Sequence, residues 1–137
     1  MATFNKFTSF ATEVGLKSHN LNTETIKAAL TNMAPSAGQT VFDPVTNHPP
    51  PAAANGYTAG GHDTQNAWSA GKLTGTDIVI TATAGGIGPF RYVVLYNDDN
   101  ATDMLVGWYD YGSSITLASG ETFTIDFDGT NGILTIT

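Results

Sequence analysis

Phe90-Arg91-Tyr92-Val93-Val94-Leu95-Tyr96 is an apolar, β-branched and aromatic run with a single charge. It follows Gly85-Gly86-Ile87-Gly88-Pro89, a turn-forming stretch, and runs into Asn97-Asp98-Asp99-Asn100, whose side chains bond their own backbone in loops. Seven residues bounded in this way read as a strand buried on both faces, at the centre of a sheet. The residues downstream agree. Leu105–Tyr111 is the next strand, and Ser114–Leu117 is a short one ended by Ala118-Ser119-Gly120. Glu121–Phe127 alternates, with Phe123, Ile125 and Phe127 inward and Thr122, Thr124 and Asp126 outward. Asp128-Gly129 and Asn131-Gly132 are turn dipeptides, and Ile133–Thr137 forms a closing strand. Upstream, Asp77–Ala84 places Ile78, Ile80 and Ala82 on one face and Val79, Thr81 and Thr83 on the other. Many short strands with regular turn signals predict a mainly β chain: an antiparallel β-sandwich, jelly-roll-like, with its core over 72–137.

The first half is less regular. Phe4, Phe7, Phe10, Ala11 and Val14 recur at spacings of three and four, which predicts a short amphipathic helix over 3–18, with Thr3 as N-cap. Thr23–Thr31 reads as a strand with Ile26, Ala28 and Leu30 on one side. Residues 32–61 hold Pro35, Pro44, Pro49, Pro50 and Pro51, which disfavour a helix or a central strand. That stretch is an extended arm lying on a surface, or a mobile loop.

The chain has 137 residues, 41% hydrophobic and 10% aromatic, which is one domain with enough apolar mass to pack. Charged residues are only 12%, with 12 acids against 5 bases, for a net charge of −7. Residues 1–60 are neutral, whereas 61–137 hold Lys72 and Arg91 against nine acids. This asymmetry suggests a two-ended molecule, with a neutral end that docks and an acidic end that faces water.

Several classes of function lose support. Five cations are too few for a phosphate-tracking surface, so nucleic acid is not an expected partner. Without cysteine there are no disulfides, thiolate metal sites or cysteine nucleophiles. There is no run of about 18 apolar residues, so no membrane span is expected. The start Met1-Ala2-Thr3-Phe4-Asn5-Lys6 lacks the layout of a signal peptide, which suggests synthesis in a cytoplasm. No Gly-x-Ser-x-Gly elbow is present, and His19, His48 and His62 lack the spacing of a helical metal pair. Asp98, Asp99, Asp103 and Asp128 are the remaining candidates for a calcium cluster, against the plainer reading that they shape turns. Asp110 and Glu121 lie in strands with nothing to place them across a cleft, as paired glycosidase carboxylates must be. The chain is therefore read as a non-enzyme without cofactor or metal. Alternation puts Tyr109 and Tyr111 on one face and Trp108 on the other, one face being core and the other exposing aromatics for an interface or for stacking on sugar rings.

Five blocks carry a likeness. They are Ala28–Asn32, Ala54–Gly61, Gly88–Asp98, Gly107–Leu117 and Gly120–Phe127. Together they resemble small structural proteins encoded among the virion genes of tailed bacteriophages. The likeness covers most of 4–137, but Thr40–Pro51 and Asp63–Lys72 fall outside it. It implies a virion protein assembled in the bacterial host cytoplasm. The expected role is capsid decoration, or cement, binding the major capsid protein and itself as a homotrimer. A tail, neck or fibre component is the alternative, and a glycan-binding adhesion module a third. The likeness brings no catalytic residues. The contact candidates are Phe4, Phe7 and Phe10 of the stripe, Val41, Phe42 and Tyr57 of the Pro-rich segment, and Trp68.

Overall fold

A computed structural model describes residues 2–99 and 101–136. Asn100, expected in the loop after the central strand, and Thr137, expected in the closing strand, lie outside the described residues, as does Met1. In chain order the elements are β1 (Thr3–Lys6), α1 (Thr8–Gly15), β2 (Ile26–Thr31), β3 (His62–Asp63), β4 (Ala67–Ser69), β5 (Lys72–Thr74), β6 (Ile78–Thr81), β7 (Ile87–Asn97), β8 (Leu105–Leu117), β9 (Thr122–Ile125) and β10 (Leu134–Thr135). The fold is mainly β with antiparallel sheets, in the manner of a β-sandwich. One sheet has five strands in the order β1-β8-β7-β2-β3. The others are β10-β5-β4 and the pair β6-β9.

β7 is the central strand that the apolar run predicts, and Tyr92–Asn97 is buried without interruption. Its two faces meet different clusters. Val93 and Leu95 join Ile26, Ala28, Leu30, Leu73, Ile80, Ile125, Phe127 and Leu134, the core between the large sheet and the smaller ones. Val94 and Tyr96 join Phe7, Ala29, Phe42 and Leu105, with Trp108 packed against them. A strand covered on both sides has no polar face, which is why its sequence does not alternate.

β8 absorbs two expected strands into one, because it continues through a bulge. Phe90 faces Ile115 and Tyr92 faces Asp110, so the extra β8 residues loop out around Gly112 at φ 87°. A second shift, at Leu95 and Tyr96, sits beside Gly107. A Cβ at Gly107 would collide with the Phe4 ring, so glycine there lets Phe4 lie over Tyr109 at a centroid distance of 5.2 Å.

Two expectations for the N-terminal segment need correction. The helix does not begin at Thr3. Thr3–Lys6 is extended and pairs with β8 from Thr3↔Asp110 to Lys6↔Gly107, so Thr3 caps nothing. The N-cap is Phe7, which has no side-chain cap bond, and the helix is eight residues long. Spacing by three fits a strand that turns into a helix as well as it fits one helix, and the open edge of β8 decides for the strand by offering backbone partners. The two halves are also not separate bodies. β1 and β2 are hydrogen-bonded to β8 and β7 of the acidic half, so the neutral and acidic halves share one sheet.

The expected strand over Thr23–Thr31 begins later, at Ile26. A turn takes the preceding residues, with the Thr23 and Glu24 N–H groups donating to the Asn20 carbonyl at 3.2 and 3.0 Å. Residues 32–61 contain no strand, but Val41 bridges Met104, and Phe42, His48, Pro51 and Tyr57 are buried. Phe42 stacks on Tyr96 at 4.1 Å between centroids and on the His48 ring at 5.5 Å. This segment is the cover of the second face of the large sheet.

Phe42→Ala should therefore cost about 3–5 kcal/mol of unfolding free energy, the usual loss for a phenylalanine truncated in a core. Val45→Ala, at a residue 85% exposed, should stay within about 0.5 kcal/mol. Urea denaturation of the two variants checks this, and equal small effects would mean that Phe42 does not pack.

Candidate functional site

The contact candidates separate by burial. Phe7 is 0% exposed, Phe10 1%, Phe42 9% and Tyr57 4%, so these four face the protein's own interior and are not available to a partner. Phe7 lies against Trp108 at 4.6 Å, which also covers the aromatic face expected to be open. The Tyr57 hydroxyl accepts the Leu30 N–H at 3.0 Å, and burial raises its pKa. Phe4 is half-buried on Tyr109, and Val41 is exposed. Trp68, on β4, packs against the main core and remains half-buried.

Trp68 also lines a surface groove of about 400 Å³ together with Val14, Lys17, His19, Asn20, Leu21, Asn22 and Ile136. Three parts of the chain meet here: the end of α1 with the turn that follows it, β4, and the residue after β10. The polar side of the groove rests on a buried network. Asn97, 0% exposed at the end of β7, donates from Nδ2 to His19 Nδ1 at 3.1 Å and to Glu24 Oε1 at 2.9 Å. Its Oδ1 accepts the Asp99 N–H at 3.1 Å, which fixes the orientation of the amide. The Asn97 amide nitrogen can only donate, so His19 Nδ1 must accept and the neutral ring carries its proton on Nε2. That Nε2 is buried and has no partner. Glu24 also accepts the Asn20 N–H, and Asn20 Oδ1 accepts the Asn22 N–H at 3.2 Å, which sets the turn that presents the two asparagines.

Sequence reasoning weighed His19 only as a metal ligand and passed over Asn20 and Asn22. The one available signal was the polar density of Ser18-His19-Asn20-Leu21-Asn22 directly after an amphipathic segment.

The other two histidines have structural surroundings. His48, 0% exposed, accepts the Asp43 N–H on Nδ1 and meets Gln39 Oε1 with Nε2, both at 3.1 Å. His62 stands edge-on to Tyr57 at 5.7 Å, and its Nε2 is buried without a partner, as that of His19 is.

The acidic residues are dispersed. Asp128 caps its own turn, accepting the Thr130 and Asn131 N–H groups at 2.8 Å, and these bonds hold its carboxyl below the usual range. Asp99 accepts the Thr25 N–H at 2.6 Å, and Asp98 pairs with Lys27 at 3.0 Å. Asp110 takes a two-pronged bond from Arg91 at 2.8 and 3.1 Å, which lowers its pKa, and Glu121 accepts the Ala118 N–H at 2.6 Å. Among the described residues, no three His, Cys, Asp or Glu side chains are grouped to hold a metal ion. No protein-family model, curated protein or solved structure matches this chain.

Burial lowers the pKa of His19, His48 and His62 from 6.5. Below that value the unfolded chain takes up protons that the folded chain refuses. Their contribution to stability is thus complete above pH 6.5 and lost as the pH falls, by up to about 1.4 kcal/mol per pH unit for each proton. Asp103, whose carboxyl is pushed up by burial and by Asp98, acts in the opposite sense, whereas Asp43, Asp110 and Asp128, held low by their hydrogen bonds, act with the histidines. The urea midpoint should therefore drop between pH 7 and pH 5. A flat or rising profile would contradict neutral buried histidines.

Proposed function

We propose that this chain is a virion structural protein of a tailed bacteriophage, a decoration or cement protein that binds the major capsid protein and further copies of itself as a homotrimer. The likeness of its sequence blocks to small phage virion proteins supports this reading. The observation that carries it further is the build of the 32–51 segment. Phe42 fastens it to the large sheet through Tyr96 and His48 stacks on Phe42, while Met33, Val41 and Val45 stand 47, 39 and 85% exposed. Apolar side chains held outward on an anchored loop suit docking, because the loop has lost its freedom before it meets a partner. Binding of many copies to a partner that takes only the folded form would then add to its stability.

A tail, neck or fibre position in the same kind of particle is the second reading, favoured by the Trp68 groove, whose half-buried aromatic suits adhesion better than shell cementing. Cryo-electron microscopy of the particle decides between them. The decoration reading expects density on the shell at hundreds of copies. Density at the tail alone, at a few to tens of copies, contradicts it. Val45→Asp should weaken shell binding by about tenfold or more, since docking would bury an unpaired carboxylate, and should leave the folded monomer unchanged.

A further inference from the structure

We infer that His19 is an acid-released latch: as a neutral ring it holds residues 18–22 against the end of β7, and a proton taken up on Nδ1 lets that turn swing away. The device belongs to the chain itself and does not depend on the virion reading. The geometry around Nδ1 carries the inference. Asn97 Nδ2 donates to this nitrogen at 3.1 Å, and the same Nδ2 donates to Glu24 Oε1 at 2.9 Å. A proton on Nδ1 would set two donors against each other. The amide cannot turn over to receive it. Turning would bring Asn97 Oδ1 against the Glu24 carboxylate, and it would face the Asp99 N–H, which now bonds Oδ1 at 3.1 Å, with a second donor. On the other side of the ring, Nε2 is buried with no partner, so a charged ring gains no bond there either. The closed arrangement therefore admits only the neutral ring, and a protonated His19 must leave its place.

The surroundings fix what moves. The chain leaves α1 through Lys17, which lies in the left-handed region at φ 65°. On the far side, Asn66 Nδ2 donates to the Glu24 carbonyl at 3.0 Å and Asn66 Oδ1 accepts the Ile26 N–H at 2.9 Å, which pins the start of β2. Between these two points, Leu21 is buried in the main core and the His19 ring lies 5.3 Å from that of Phe10. The bond from Asn66 Nδ2 to the Leu21 carbonyl is long, at 3.4 Å, and is the one that gives way. Release carries Leu21 out of the core and uncovers Phe10. Asn20, Leu21 and Asn22 line the Trp68 groove, so that surface keeps its shape only while His19 is neutral.

The charges around the ring favour release. Glu13 of α1 and Glu24 of the turn both attract an imidazolium. Lys17, which lines the groove with His19, opposes them. β7 presents the neutral Asn97 with Asp99 beyond it, and β4 and the end of β10 present the uncharged Trp68 and Ile136. Burial outweighs the two glutamates in the closed form and lowers the pKa of the ring. In water the ring returns to about 6.5, so the open form gains on the closed one as the pH falls, by up to about twentyfold between pH 7 and pH 5.

The test is a heteronuclear NMR series on the full chain between about pH 7 and about pH 5. The imidazole nitrogens of His19, the methyl groups of Leu21 and the side-chain amide of Asn97 should change together in one step, while the amides of Val94 and Leu95 stay protected from exchange. His19→Gln supplies an oxygen that can accept the Asn97 N–H and takes up no proton in this range, so it should abolish the step at Leu21 and Asn97. His62→Gln should leave the step in place. Overturning results are a titrating His19 with Leu21 and Asn97 unchanged, a step that survives His19→Gln, or loss of Val94 and Leu95 protection in the same step, which is global unfolding. If His19→Gln does not fold, the wild-type series decides. Coincident midpoints for His19 and Leu21 uphold the latch, and a Leu21 midpoint that follows His48 or His62 instead overturns it.

Discussion

The pairing of β7 with β8 governs the molecule. From Tyr92↔Asp110 to Tyr96↔Leu105 the two strands are hydrogen-bonded side by side, and both faces of the pair are apolar. An apolar sheet face left in water forfeits roughly 25 cal/mol for every Å² exposed. Two covers are therefore required. The small sheets provide one, through Leu73, Ile80, Ile125 and Leu134, and Phe7 with the Phe42–His48 segment provides the other. β1 and β2 then occupy the flanks, β1 on β8 and β2 on β7.

This arrangement explains what the anchored loop and the Trp68 groove have in common. Each is the outward side of something needed inward. The 32–51 loop exposes Val41 and Val45 because Phe42 and His48 between and beside them are held down. The groove exposes part of Trp68 because the remainder closes the core. His19, in the groove wall, is held from within by Asn97, buried at the end of the central strand. The groove belongs to neither half of the chain alone. Val14 and Leu21 come from the first half and Trp68 and Ile136 from the second, so the two halves meet at this surface.

The strands were legible where one physical rule acted alone. Phe90–Tyr96 and Ile78–Ala82 announced themselves through run length and alternation, and they lie where those patterns put them. Thr3–Lys6 was not legible, because the cause of its strand is the free edge of β8, more than a hundred residues away. Ser114–Leu117 read as separate from Leu105–Tyr111 because a bulge at Gly112 looks like a break when the partner strand is unseen. The docking candidates were chosen for size and apolarity, and those same properties sent Phe7, Phe10, Phe42 and Tyr57 inside. The groove was illegible for a different reason. Its walls come from residues 14–22, 68 and 136, and only the fold brings them together.

The claim on which the account rests is that the Pro-rich segment is the second wall of the core. Native-state amide hydrogen exchange tests it directly. The Phe42 N–H donates to the Asp103 carbonyl at 2.8 Å and the His48 N–H to the Asp43 carbonyl at 2.7 Å. If the segment is core, both amides exchange only through global unfolding, with the same free energy and the same denaturant dependence as those of Val94 and Leu95. Rapid exchange at Phe42 and His48 while Val94 and Leu95 stay protected would contradict it.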